Sequence, residues 1–148
     1  MSESLPAELM DITGFLVFQV VRDARRIGIE MHGSTLRAPH LTVLAGLTEF
    51  GPSSQKEISN RLRIDPSDLV SVLDDLEQQQ MVSRSRDPGD RRRYVVTIKP
   101  AGHKALRQRL SQLRELSDAL LAPLTPDERA HLHELLIRVH RHHQVNLP

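Results

Sequence analysis

The sequence contains no cysteine and no tryptophan, which excludes disulfides, thiolate metal sites, cysteine nucleophiles and thiol-based redox sensing. It also lacks any apolar run approaching the ~20 residues needed to span a bilayer. The stretch Met1–Glu8 shows no basic segment followed by an apolar one, so neither anchor nor secretory signal is expected and the predicted location is the cytoplasm. Aromatic residues are scarce: Phe15, Phe18, Phe50 and Tyr94 are the full set. A stacking platform for single-stranded bases, which needs clustered aromatic faces, is therefore not expected. Charge of one sign is missing too, since the formal net charge is +1, and any attraction for a polyanion must come from local clustering. There is no Gly-x-Ser-x-Gly elbow and no phosphate-cradling glycine-rich loop among the seven glycines, so no catalytic residue, cofactor or enzymatic activity is predicted.

What is present is locally concentrated. Five arginines, Arg84, Arg86, Arg91, Arg92 and Arg93, fall within ten residues around the turn signal Asp87-Pro88-Gly89-Asp90. The remaining composition, 39% apolar and 26% charged over 148 residues, is that of a single compact domain able to bury a core.

Periodicity places the elements. Leu9, Ile12, Leu16, Val20 and Ile27 predict one long amphipathic helix from Pro6 to about residue 30, ending at Gly33-Ser34. A second helix follows Pro39, with Leu41, Leu44, Ala45 and Leu47 on one face, and stops at Gly51-Pro52. Ser53 or Ser54 can cap a third, short helix over Gln55–Leu62 that buries Ile58 and Leu62. Asp65 suits an N-cap and Pro66 the first helical position, where a missing N–H is no loss. The resulting helix, Pro66 to Gln80, buries Leu69, Val72, Leu73 and Leu76 and leaves Ser67, Asp68, Ser71, Asp74 and Asp75 largely solvated. Short helix, tight turn and longer helix form a helix-turn-helix. Two strands, Met81–Arg86 and Tyr94–Ile98, then predict a β-hairpin with an arginine-loaded tip. Beyond Pro100 a helix carries Leu106, Leu110, Leu113, Leu116 and Leu120, and a last helix after Thr125-Pro126 carries Leu132, Leu135, Leu136 and Val139. So many leucines exceed what one small core needs, and a shared homodimer core is expected.

Eight histidines raise the question of metal. His131, His133, His140, His142 and His143 lie late in the last helix, and His140 and His143 share a face. His133-Glu134 is followed by Ile137 where a zincin would have its second histidine, so these are expected as surface histidines and no metal site is predicted.

The stretch from Asp87 to Gly102, reading Asp-Pro-Gly-Asp-Arg-Arg-Arg-Tyr-Val-Val-Thr-Ile-Lys-Pro-Ala-Gly, resembles the wing of the MarR family of multiple-antibiotic-resistance-type regulators. Its Asp-x-Arg pair is Asp90 and Arg92, and the turn that in the family reads Leu-Thr-x-x-Gly is Ile98-Lys99-Pro100-Ala101-Gly102 here. Leu36-Arg37-Ala38-Pro39, Lys56-Glu57-Ile58 and Leu76-Glu77 ahead of Met81-Val82-Ser83-Arg84 add to the resemblance, which covers essentially the whole chain. It implies a mainly α winged helix-turn-helix with a small β-hairpin wing. The single domain 1–148 would comprise dimerisation helices at about 5–35 and 103–145 and a DNA-reading lobe at 36–102. The implied function is a sequence-specific, double-stranded-DNA-binding regulator, a ligand-responsive repressor on a near-palindromic operator. DNA contacts are then expected from Ser54, Lys56, Ser67, Asp68, Ser71, Arg84, Arg86, Asp90, Arg91, Arg92 and Arg93, with Asp90 or Asp74 orienting Arg92. Phe15, Phe18, His32 and His40 are expected to line the pocket of a small-molecule effector.

Two departures from the family pattern carry consequences. Gln80 stands where a glycine is common before the wing, which predicts a less tightly turned helix end. Asp68, Asp74 and Asp75 place carboxylates on the recognition helix. Either they point away from the phosphates, or they accept from cytosine amino groups or pair with wing arginines, or DNA binding is weak. Two rival readings follow: a partner-binding dimer that has lost DNA, and a metal-responsive regulator.

Overall fold

The computed structural model describes residues 5–145. In chain order the elements are α1 (Ala7–Met10), α2 (Thr13–His32), α3 (Ala38–Phe50), β1 (Ser53–Ser54), α4 (Gln55–Leu62), α5 (Pro66–Gln78), β2 (Val82–Arg86), β3 (Tyr94–Ile98), α6 (Pro100–Leu120) and α7 (Pro126–Val145). They fall into two compact units, one of Ser34–Leu113 and one of the residues up to Gly33 together with those from Arg114 on. No helix among the described residues is long and apolar enough to cross a membrane.

The Ser34–Leu113 unit holds the core. Val43, Leu44 and Leu47 of α3, Ile58 of α4, Leu69, Leu73 and Leu76 of α5, Val82, Val96 and Leu106 are all buried. Each fully buried leucine or valine contributes about 1.5–3 kcal/mol relative to exposure. The helices begin where their caps dictate. Ser54 closes a capping box on α4: the Glu57 N–H donates to Ser54 Oγ at 3.2 Å and the Ser54 N–H donates to Glu57 Oε2 at 2.8 Å. Asp65 caps α5, accepting the Ser67 N–H at 2.8 Å, with Pro66 at the first helical position.

Four expectations are corrected. The first helix is two: Asp11 ends α1, and Ile12 adopts an extended backbone before α2. Asp11, Ile12, Thr13 and Gly14 in succession are all weak helix formers, so the ladder breaks there. The hairpin is a three-stranded antiparallel sheet in the order β1-β3-β2, with Ser53 opposite Val96 and Ser54 opposite Val95. Leu62 is half-buried rather than core. Finally, α5 stops at Gln78, and its end is tightly turned despite the missing glycine. Gln80 itself takes the left-handed conformation, φ 57°, while the Met81 N–H donates to the Leu76 carbonyl at 2.8 Å and the Gln80 N–H to the Glu77 carbonyl at 2.9 Å. These are the two bonds of a Schellman motif. Tertiary packing of Leu76 and Val82, both buried, outweighs the local penalty on Gln80.

The second unit is built differently. No described residue of α1, α2 or α7 is buried, and Ile12, Val17, Phe18, Val20, Ile29, Leu136 and Val139 are exposed. Thr125 and Glu128 form a second capping box at the start of α7. His32 Nε2 lies 3.4 Å from Glu115 Oε2.

Candidate nucleic-acid interface

Of the predicted contact residues, Ser54, Lys56, Arg92 and Arg93 line one hollow between α4 and the wing, and Asp68 and Ser71 line another between α3 and α5. Lys56, Ser67, Asp68 and Ser71 are exposed, while the Ser54 side chain is buried and engaged as a cap. Ser67 Oγ donates to Asp65, so that hydroxyl is partly committed to the cap. Asp65 is held below its ordinary pKa by the Ser67 hydroxyl and then by the Ser67 N–H.

The carboxylates of α5 have distinct fates. Asp74 accepts from Arg84 Nη2, and Arg84 Nε lies 2.9 Å from Glu77 Oε2, an ion-pair distance without hydrogen-bond alignment. Asp75 accepts from His40 Nε2 at 3.0 Å, with Arg37 Nη2 a further 3.7 Å contact. Asp68, in the first turn, has no such partner among the described residues; Asp74 is exposed despite its pairing and Asp75 is half-buried. Pairing with a wing arginine is therefore the outcome for Asp74, and pairing within the lobe the outcome for Asp75. Each neutralised carboxylate removes a repulsion that would otherwise oppose phosphate.

In the wing, Arg92 Nε lies 3.4 Å from Asp90 Oδ1, and the Arg92 N–H donates to the same oxygen at 3.0 Å. Asp90, not Asp74, is thus the group that orients Arg92. Arg93 Nη2 lies 3.4 Å from Glu57 Oε1, tying the wing to α4. Glu57 has its pKa lowered chiefly by the Ser54 N–H; burial opposes this, and Arg93, Arg61 and the Ser54 hydroxyl each add a smaller lowering. Arg86 packs on Tyr94. The Asp90–Arg92 contact joins near neighbours in one turn and was legible in the sequence, whereas the ties of Arg93 to Glu57 and of Arg86 to Tyr94 were not, because they depend on helix packing and strand register.

Of the residues expected to line an effector pocket, the structure places His40 on a cavity of about 510 Å³ within the Ser34–Leu113 unit, together with Leu36, Arg37, Asp75, Met81 and Arg109. His40 Nδ1 and Arg109 Nε are buried there without a hydrogen-bond partner. Arg37, at the start of α3, and Arg109, midway along α6, carry no local sign in the sequence that they face a cavity. Phe15, half-buried, and Phe18, exposed, lie on α2 with His32 in the other unit and are not among that cavity's lining. No group of three or more metal-ligating side chains comes together among the described residues.

A helix-turn-helix followed by an arginine-bearing β-wing on one compact lobe defines a winged helix-turn-helix protein. Comparison with known proteins makes the assignment specific. The model of the MarR family matches residues 36–94, and a probable transcriptional regulator from Pseudomonas aeruginosa shares the fold at TM-score 0.74 with 30% identity, over 88% of this chain and 98% of that one. The HTH-type transcriptional repressor NicR of Pseudomonas putida is 29% identical over 68% of this chain and 64% of its own length, so the chain spans just under two thirds of that relative. A mutant MarR from E. coli, solved in complex with operator DNA, superposes at TM-score 0.70 with 25% identity over 92% of this chain and 99% of that one. The chain belongs to the MarR family and is a transcriptional regulator of that class.

Proposed function

We propose that the protein is a cytoplasmic homodimer that binds a near-palindromic DNA site and represses transcription until a small molecule releases it; its role is binding rather than catalysis. The observation that carries the DNA reading is the direct contact of α5 with the wing through Asp74 and Arg84. Ser67, Asp68 and Ser71 are exposed, and the carboxylates of exposed Asp74 and half-buried Asp75 are paired with Arg84 and with His40 and Arg37 respectively. Such a helix can enter the major groove with its first turns, while the wing follows the adjacent backbone or minor groove. The operator complex of the E. coli MarR mutant, at 25% identity, supports the same mode.

Dimerisation is supported by the unit that lacks buried residues in α1, α2 and α7 and exposes Phe18, Ile29, Leu136 and Val139, an apolar surface too extensive for a solitary monomer. The effector reading is supported by the cavity beside His40, whose unpartnered His40 Nδ1 and Arg109 Nε suit a polar ligand. Fluorescence anisotropy against fragments selected from the source genome, with mass by light scattering, tests the whole. The expected result is one dimer per site, half-sites about one helical turn apart, and affinity that falls steeply with salt. A monomeric mass at micromolar concentration, or binding indifferent to salt and sequence, would overturn it.

A further inference from the structure

The five arginines of the wing segment do not share one environment. Arg84 sits between the carboxylates of Asp74 and Glu77, and Arg93 faces that of Glu57, so both guanidiniums are already balanced by protein. The Arg92 side chain is 93% exposed and pairs with Asp90, and Arg91 is exposed with no side-chain hydrogen bond or ion pair among the described residues. Arg86 is different again, because its partners carry no charge. Strand register sets it directly opposite Tyr94; its guanidinium carbon lies 5.1 Å from the ring centroid, and Nη1 donates to the Arg91 carbonyl at 2.5 Å. A planar guanidinium can stack on a ring and donate in its own plane at the same time, which an ammonium cannot.

That carbonyl belongs to the loop that presents Arg91 and Arg92. The same loop is closed by the Asp87 N–H donating to the Arg93 carbonyl at 2.8 Å and the Arg93 N–H donating to the Asp90 carbonyl at 2.9 Å. Resting on the DNA-binding reading above, we propose that Arg86 is a positioning residue. Clamped on Tyr94, it holds the Arg91 carbonyl so that Arg91 and Arg92, and not Arg86 itself, meet phosphate. Ordering the loop before DNA arrives spares the complex the entropy of fixing it afterwards.

A phosphate contact and a strut respond oppositely to lysine. Lysine keeps the charge and can serve as a point-charge phosphate ligand, but it cannot reproduce the stacked, in-plane donor. Operator affinity is to be measured at several salt concentrations for Arg86→Lys, Tyr94→Leu and the double variant, with Arg91→Gln and Arg92→Gln alongside. The expectation is that Arg86→Lys and Tyr94→Leu each weaken binding about tenfold with the salt slope unchanged, and that the double variant is no weaker than either alone. Arg91→Gln and Arg92→Gln should each reduce the slope by about 0.9 per subunit. Wild-type affinity in Arg86→Lys, or additive losses in the double variant, would overturn the proposal. Amide hydrogen exchange on the free protein separates this from the DNA reading: the Asp87 and Arg93 amides should exchange about tenfold faster in Arg86→Lys and Tyr94→Leu than in wild type. Unchanged exchange sinks the strut even if DNA binds, whereas accelerated exchange in a protein that ignores DNA retains the strut and discards the DNA reading.

Discussion

Replacing Gly102 by alanine should destabilise the DNA-reading lobe, although alanine is the better helix former. Gly102 lies in the first turn of α6, and a Cβ built on it would stand 2.3 Å from the Met81 carbonyl oxygen, 2.8 Å from Ile98 Cγ1 and 3.2 Å from the Met81 carbonyl carbon. The first of these is about 1 Å short of ordinary contact, and the obstacle is backbone, which cannot swing aside as a side-chain tip can. The Met81 carbonyl is also committed, accepting the Lys99 N–H at 2.9 Å. Relief requires the start of α6 to retreat, straining that hydrogen bond and the packing of buried Leu106. Overpacking of this kind costs about 1–3 kcal/mol and a weakened hydrogen bond about 1 kcal/mol, against a gain of up to about 1 kcal/mol in helix propensity. The net, about 2 kcal/mol, corresponds to a fall of about 4–8 °C in Tm for a chain of this size. Gly14→Ala is the control, since nothing lies within 4 Å of a Cβ there, near the start of α2. It should raise stability by about 0.5–1 kcal/mol. Thermal melts by circular dichroism at one fixed protein concentration, because a dimer's Tm depends on concentration, decide between them. A Gly102→Ala protein that melts at or above wild type refutes the reasoning.

Gln80→Gly should stabilise by about 1 kcal/mol, since glycine adopts the left-handed backbone that Gln80 occupies at φ 57° without the Cβ penalty; urea titration should show a higher midpoint at unchanged m. Acid should weaken the fold through Glu57 and Glu128, whose pKa values are lowered from about 4.5 first by the N–H groups of Ser54 and Thr125 respectively. A depressed carboxyl contributes fully above its unfolded pKa and loses that contribution as pH falls through the lower folded value, so urea midpoints should decline below about pH 4.5, less steeply in Glu57→Gln. Mild peroxide should leave DNA affinity intact, because there is no thiol to oxidise and the four methionines react less selectively; release of DNA with intact methionines, checked by mass spectrometry, would contradict this.

Local chemistry made much of the lobe legible in the sequence. Ser54 three residues before Glu57, and Asp65 before Pro66, place the starts of α4 and α5 because a cap is satisfied by neighbours within a few residues. The arginine-flanked turn at Asp87–Asp90 and the β-branched run Val95–Ile98 announce the wing for the same reason. Tertiary structure decided the rest. The two-residue β1 exists only because β3 lies beside it, and no propensity of Ser53 or Ser54 predicts that pairing. Whether Asp74 and Asp75 repel DNA depends on Arg84 and His40, ten and thirty-five residues distant, reaching them across the packed lobe. Gln80 turns left-handed against its own preference because Leu76 and Val82 must both be buried within six residues of each other. Periodicity reports which face of an element is apolar, but the partner of a charged side chain is set by where the elements meet, and that geometry comes from the burial of the core as a whole.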